Sequence, residues 1–596
     1  MKRILVLNFF PAFVPPKSGG ELRYFNFYRH LSADHDVTLL SPTYSHHREE
    51  VIRHHDHFRE YRVPKEPIHD RLHALVDQDQ ICSECSALVC ALSARYPNRY
   101  HRLYLELQPQ ADIIIHEFPY LLEYDLFFGL DGKPRIYNSH NFESNLVAQL
   151  WTGPNADKYQ RYIRCLEGRL VRRCDAVFAV SPEERQAMAS AFAVAESMIG
   201  LAPNGITPED YPRRRTPTSL EDNPVACFIG TRHPPNIEAA RFLVDEVAPL
   251  CPDLGFAIAG TCCEGLEGGQ PPNVRILGSI SDEDKRRLFD TSLLALNPMF
   301  SGAGTNLKTL EYLAAGLPLV ATRVGVRGLD LKPGLHFISA DRLEFAQVLN
   351  QVIEDPGPIE AIAEKGRQWV LEHYAWEKIV KRFTASLSTI HRRQAEPLLV
   401  LNDYPVRDQH FGGATRIRSL YTKLSKQRPV VLMTLNNEGT LERYDHGPDF
   451  AELSFPKTKE HLRDENRSNA GSDISVNDIV ASRHCRDNDL LREALNAALN
   501  FAGGLVLSHP YLAPLIDGRP RVPIIHESHN FEHQLKQQLL AKHPAAEELL
   551  AQVRKVEETA VKISSLVVSV SAQDACSLAK YYELSKDVEV IENGVD

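Results

Sequence analysis

The chain has 596 residues, 43% of them hydrophobic and 24% charged, with a formal net charge of −11. At about 100–200 residues per domain, this length predicts three to five ordinary globular domains. The acidic balance argues against nucleic-acid binding, which needs a basic surface, and no apolar run nears the roughly 20 residues of a membrane span.

The apolar run Ile4–Leu7 stops at Asn8 with no small-residue cleavage site after it, so it reads as a buried strand and not as a signal peptide. Further near-continuous apolar runs fall at Asp36–Leu40, Ala111–His116, Arg135–Asn138 and Asp175–Ser181. With Arg3–Asn8 they predict strands of a parallel sheet covered by helices on both faces. Between them, His46, His47, His54, His55 and His57 read as a solvated helix of mixed charge. Cys82, Cys85 and Cys90 lack the four ligands of structural zinc and read as free helix cysteines. Eleven scattered cysteines suit a reducing, cytoplasmic setting. Arg95, Arg99, His101 and Arg102, interleaved with Tyr96, Tyr100 and Tyr104, read first as a solvated helix face. Contact with an anionic membrane surface is the second reading.

The Pro-, Arg- and Thr-rich stretch Thr207–Pro224 reads as an interlobe linker. A second strand series follows at Val225–Gly230, Gly255–Gly260, Val274–Leu277, Leu293–Asn297 and Leu319–Thr322. Two doubly wound sheets carry ligands at their strand C-termini, which places a cleft between the lobes.

A third series starts beyond a linker near Arg393–Pro397 and repeats the first. Ser139-His140-Asn141-Phe142-Glu143 recurs as Ser528-His529-Asn530-Phe531-Glu532, followed in each case by matching Leu and Gln positions. Gly19, Gly20 and Arg23 recur as Gly412, Gly413 and Arg416; Glu167 and Ser181 as Glu557 and Ser571; Asn204-Gly205 as Asn593-Gly594. The expected domains are 1–206, 207–392 and 397–596, the last a first-type lobe ending where a second lobe would begin, as in a truncated tandem repeat. Within it, Lys457–Asn477 reads as a mobile surface loop.

The chemistry concentrates in Ser301-Gly302-Ala303-Gly304-Thr305-Asn306-Leu307-Lys308-Thr309-Leu310-Glu311. A glycine-rich turn entering a helix presents free N–H groups and a positive dipole end, an anion site suited to a diphosphate. Lys308 adds a charge one turn in, and Glu311, on the same face, is placed to accept ribose hydroxyls. An ordinary tight strand–helix turn fits the same string. Gly230 and Arg232 follow the first strand of the same lobe, with Arg232 read either as a second cation on the diphosphate or as a solvated loop residue. In the first lobe, Gly19 and Gly20 let backbone approach a ligand closely. His140 ends a strand, where it contacts a sugar, moves a proton or serves structure alone.

Together the Gly19-Gly20 loop, the SHNFE segment, Ser181, Asn204-Gly205-Ile206, Gly230 with Arg232, SGAGTNLKTLEYLAAGLPLVAT and the tail His373-Tyr374-Ala375-Trp376 resemble glycosyltransferase family 4. The resemblance covers residues 1 to about 392 as a complete enzyme and about 397–596 as a first lobe only. It implies an α/β architecture of the GT-B fold: two Rossmann-like doubly wound lobes facing a cleft, followed here by a third Rossmann-like lobe repeating the first. It implies retaining, metal-independent transfer of a hexosyl unit from a nucleotide diphosphate sugar, without a cofactor, to a glycan or lipid-linked acceptor in surface polysaccharide or glycolipid synthesis. Arg232 and Lys308 would hold the diphosphate, Glu311 the ribose, His140 the transferred sugar. Gly19 and Gly20 would lie near phosphate and acceptor, with Gly230, Gly302, Gly304, Thr305 and Asn306 shaping the donor site. The implied setting is the cytoplasm, with peripheral association at the inner membrane. The family often has glutamates eight positions apart; Glu311 is the second, and Ala303 replaces the first. A nucleotide-sugar epimerase or phosphorylase on the same fold, and a non-catalytic glycan- or partner-binding protein, remain as alternatives.

Overall fold

The computed structural model describes residues 1–596 apart from 17, 80–84, 215–223, 267, 303–304, 391–395, 519, 586 and 595–596. Three sheets are present. The first contains β1 (Arg3–Leu7), β2 (Asp36–Thr43), β3 (Glu50–His55), β4 (Phe58–Pro64), β5 (Ile113–His116), β6 (Arg135–Asn138), β7 (Ala176–Ala179) and β8 (Ile199–Leu201). Their order is β3-β4-β2-β1-β5-β6-β7-β8, and only the β3–β4 pair is antiparallel. The second contains β9 (Val225–Ile229), β10 (Gly255–Ala259), β11 (Val274–Gly278), β12 (Leu294–Asn297), β13 (Leu319–Ala321) and β14 (Ile338–Ser339), all parallel, in the order β11-β10-β9-β12-β13-β14.

The third sheet holds β15 (Leu398–Leu401), β16 (Val430–Asn436), β17 (Glu442–Gly447), β18 (Phe450–Pro456), β19 (Gly504–Leu507), β20 (Ile524–Ser528), β21 (Leu566–Ser569) and β22 (Val588–Val590). Its order, β17-β18-β16-β15-β19-β20-β21-β22, is that of the first sheet strand for strand, down to the single antiparallel hairpin. The central strands are apolar and buried on both faces, as parallel strands between helical layers must be.

The repeated residues hold the same joints in both copies. Arg23 is buried and donates to the carbonyls of Ala202 (2.7 Å) and Pro203 (3.1 Å) and to Asn138 Oδ1 (3.0 Å). Arg416 likewise donates to the carbonyls of Ile591 and Glu592 and to Asn593 Oδ1. Glu167 accepts from the Glu143 and Ser144 N–H groups, and Glu557 accepts from those of Glu532 and His533. Each caps the helix that the SHNFE string opens. Ser181 and Ser571 are the N-caps of matching helices.

The helix Trp376–Thr389 crosses back to the first lobe. Trp376, Phe383 and Leu387 join Tyr24, Phe27 and Leu31 in one buried cluster, and Lys2 Nζ donates to the Leu387 carbonyl at 3.1 Å. A Cβ on Gly205 would lie 2.7 Å from the Trp376 ring, so only glycine admits that indole.

Three expectations are corrected. The histidine-rich segment forms strand β3 and a turn, not a helix: exposure alternates along it, and His54 packs its ring 4.6 Å from that of Phe58. Lys457–Asn477 is largely the helix Lys459–Asn469, capped by Thr458. It buries His461, Asp464 and Glu465, and Lys457 pairs with Glu465 at 2.7 Å. Its polarity suggested a loop because its buried face is ionic.

The basic–aromatic segment, the third, includes the helix Arg99–Leu107, which keeps Arg99 and Arg102 exposed but buries Tyr100, His101 and Tyr104. It packs against Asp489–Leu499, which precedes β19 as it precedes β5. Arg102 meets Asp489 at 3.0 Å, Phe127 stacks edge-on with Phe501 at 5.1 Å, and one apolar cluster runs through both lobes. Cys90 lies on a buried helix with Cys85 at its start, while Cys82 and the linker near Arg393 lie outside the described residues. Among the described residues no cluster could hold a metal ion and no helix is long and apolar enough to cross a membrane.

Candidate functional site

Chain order reverses between β1 and β5 in the first sheet and between β9 and β12 in the second, the two points where doubly wound sheets open a crevice at their strand ends. The glycine-rich turn follows β12 and enters the helix Leu307–Ala314. Gly302 has φ +116°, a conformation L side chains rarely adopt. Asn306 is the N-cap, but its side chain makes no cap bond and its amide donates to the Val324 carbonyl at 3.0 Å, so among the described residues the N-cap side chain leaves the helix start open. Thr305 Oγ1 is buried with no hydrogen-bond partner among the described residues. Gly304 and Ala303 lie outside the described residues.

Lys308 Nζ donates to Asn236 Oδ1 at 2.7 Å and sits 4.3 Å from the centre of the Phe228 ring. Burial pushes its ammonium down to about 8, with Cys262 and Glu311 pulling the other way. Gly230 lets this layer close: a Cβ there would lie 3.0 Å from Asn236 Cβ and from Cys262 Sγ. Glu311 is held by Tyr211 Oη (2.8 Å) and Lys285 Nζ (2.6 Å).

Arg232 turns to a partner of its own. Its side chain is 70% exposed and pairs with Glu264 at 2.7 Å. Arg327 approaches the turn instead, with its Nη2 3.8 Å from the Cβ position of Gly302.

Across the cleft, the helix Gly19–Leu31 starts at the paired glycines. A Cβ on Gly19 would lie 3.0 Å from Leu307 Cδ1, so the two helix N-termini face each other. Gly20 lies beneath His140, with its Cβ position 4.0 Å from His140 Nδ1. His140 Nε2 is 2.5 Å from Glu117 Oε2, and Phe118 packs on the imidazole with ring centres 4.4 Å apart. Burial lowers the His140 pKa, and Glu117 opposes that shift. Glu117 also accepts from Tyr28 and from Asn138 Nδ2 (2.8 Å). Burial raises the Glu184 carboxyl to about 7, while the Phe142 backbone, Arg23 and Arg327 pull it down.

Sequence reasoning missed Glu117, Asn236, Lys285, Tyr211 and Arg327. Glu117 had a signal, being the first charge after the apolar strand IIIH. The others come from loops and helices whose approach depends on the fold.

The glycosyltransferase family 4 model matches residues 17–210, and the glycosyl transferases group 1 model matches residues 223–355. With the sheet topology, these matches give the two-lobed part of the chain the GT-B fold and glycosyltransferase domains in both lobes. The chain is 25% identical over 166 residues to an uncharacterized protein of the Klebsiella pneumoniae cps region, covering 26% of this chain and 43% of that protein. It is 29% identical over 161 residues to a phosphatidyl-myo-inositol mannosyltransferase of Propionibacterium freudenreichii (26% and 40%). It is 21% identical over 254 residues to an MMP alpha-(1->4)-mannosyltransferase of Mycolicibacterium hassiacum (40% and 60%). The chain thus spans 40% to 60% of the length of these relatives. Among solved structures, Anabaena HepE with UDP and glucose aligns at 15% identity and TM-score 0.46, covering 65% of this chain and 100% of that one. A trehalose-6-phosphate protein of E. coli with UDP-2-fluoro glucose aligns at 13% identity and TM-score 0.47 (66% and 100%).

Proposed function

We propose that the first two lobes transfer a hexosyl unit, with retention of configuration and without a metal, from a nucleotide diphosphate sugar to a glycan or lipid-linked acceptor at the cytoplasmic face of the cell. The observation that carries this reading is the uncapped helix start at Asn306–Lys308, with a half-buried lysine, facing the Gly19–Gly20 helix and His140. An open helix N-terminus and a desolvated ammonium stabilise the negative charge that grows on a departing diphosphate. Arg327 is near enough to add a second cation, and Arg232 can reach the site only by leaving Glu264.

In the proposed step the bond between the sugar's anomeric carbon and the phosphate oxygen breaks. The acceptor hydroxyl bonds to that carbon on the same face, and its proton passes to the leaving phosphate. His140, with Nε2 held by Glu117, presents Nδ1 towards the sugar. Glu311 is set for the ribose once Tyr211 or Lys285 yields. The two mannosyltransferase relatives support a hexose donor.

The third lobe repeats the topology of the first, and we read it as a second transferase lobe of the first type. Screening nucleotide sugars for transfer, with NMR assignment of the product anomer, tests the reading. Transfer with retention that is lost in Lys308→Ala supports it. Inversion, or phosphate-dependent cleavage, replaces it with another chemistry on the same fold.

A further inference from the structure

The third lobe departs from the first at the positions that line its strand ends. Aligning Asn8 with Asn402 and Pro119 with Pro510 sets Phe9 against Asp403 and Phe118 against His509. In the first lobe these are an edge-on aromatic pair, 4.8 Å between ring centres. In the third, His509 Nδ1 is 3.1 Å from Asp403 Oδ1, and the His509 ring lies 4.6 Å from that of His529. Two apolar side chains have become an acid–imidazole pair at the same place in the fold.

That pair lies in the wall of a cavity of about 1220 Å³. Small-molecule clefts are typically about 300–1,000 Å³, so this one has room for more than one pyranose ring. Seven Asp and Glu line it against four Lys and Arg. A wall with this excess of carboxylate repels phosphate and other anions. Carboxylates accept hydrogen bonds from hydroxyl groups, as does the imidazole of His529, whose pKa burial lowers. Phe411, 48% exposed, stands in the same wall beside Tyr404 and offers a flat apolar face, while Tyr444, 39% exposed, carries the Arg407 guanidinium over its ring at 5.0 Å. Hydroxyl acceptors beside an exposed aromatic face match the alternating O–H and C–H surfaces of a sugar ring.

We infer that the third-lobe cavity is a binding site for a neutral oligosaccharide, distinct from the cleft between the first two lobes. The inference does not depend on the transferase reading, since every residue it uses belongs to the third lobe.

The test uses the full chain, titrated by calorimetry and saturation-transfer NMR with mannotriose, maltotriose and the anionic trimer of galacturonic acid. A neutral trisaccharide should bind and the anionic one should not. Asp403→Phe/His509→Phe, which rebuilds the aromatic pair of the first lobe, should weaken binding at least tenfold with little change in melting temperature. Glu438→Gln, at an exposed lining position, should weaken it several-fold and serves if the double variant fails to fold. No binding of either neutral trisaccharide at millimolar concentration, preference for the anionic one, or unchanged affinity in the folded variants would overturn the inference.

Discussion

His140 Nε2 lies 2.5 Å from Glu117 Oε2, whereas His529, its counterpart in the third lobe, meets Ser508 Oγ at 3.2 Å and Glu527 at 3.8 Å. The carboxylate has moved one strand over. Glu117 on the β5 side is replaced by Ser508, and Asn138 at the end of β6 by Glu527. Both carboxylates still accept from the tyrosine about two turns beyond the paired glycines, Tyr28 or Tyr421.

This exchange predicts compensation. Glu527→Asn alone removes the buried partner of Arg416 (3.0 Å) and Tyr421 (2.7 Å), at a cost of about 3–5 kcal/mol. Adding Ser508→Glu should recover a substantial part of that loss. A double-mutant cycle by chemical denaturation measures the coupling, and strict additivity would contradict the exchange.

Glu117 also governs the His140 proton. Its charge raises the His140 pKa against burial. In Glu117→Gln the imidazole should therefore titrate at lower pH than in the unmodified chain, read by NMR of the labelled ring. An upward shift would place Glu117 outside the pair.

Gly20→Ala separates function from folding. The added Cβ meets Phe10 at 3.7 Å and His140 Nδ1 at 4.0 Å, which is ordinary contact, and alanine favours the helix by about 0.5–1 kcal/mol. Stability should hold or rise while transfer falls at least tenfold, because the methyl covers Nδ1. Full activity would remove His140 from the site.

Glu143 sets a pH dependence of stability. Burial raises its carboxyl to about 8, with Tyr120 and Asn141 pulling down and Glu167 pushing up. Between the unfolded value of about 4.5 and 8 the folded state binds more protons than the unfolded chain. Stability contributed through Glu143 is therefore greatest at low pH and falls as pH rises, by up to about 1.4 kcal/mol per unit. Glu143→Gln should flatten the decline in melting temperature between pH 5 and 8, and an unchanged slope would assign it elsewhere.

Much of the fold was legible. The apolar runs at Arg135–Asn138 and Val225–Gly230 marked buried parallel strands because such strands carry no polar alternation. The repeat was legible because Arg23, Glu167 and Ser181 each hold a joint that the backbone cannot close alone. The hairpin β3–β4 was not legible, since half-exposed strands with His and Arg resemble a solvated helix. The Lys459–Asn469 helix was lost because its core-facing side is ionic. In the site, local geometry at Gly302 and Lys308 followed from the turn, but the pairing of Arg232 with Glu264 and the approach of Arg327 to Gly302 did not, because both depend on how separate loops fold back.

The most direct test of the interlobe donor site is calorimetric binding of UDP-, GDP- and ADP-sugars at pH 7 and pH 9, to the unmodified chain and to Lys308→Ala. One donor should bind to the unmodified chain, weaken as pH rises past the Lys308 value of about 8, and lose at least tenfold in affinity in Lys308→Ala. Equal affinity in the two proteins, with no dependence on pH, would contradict the assignment of the diphosphate to the Gly302–Lys308 turn.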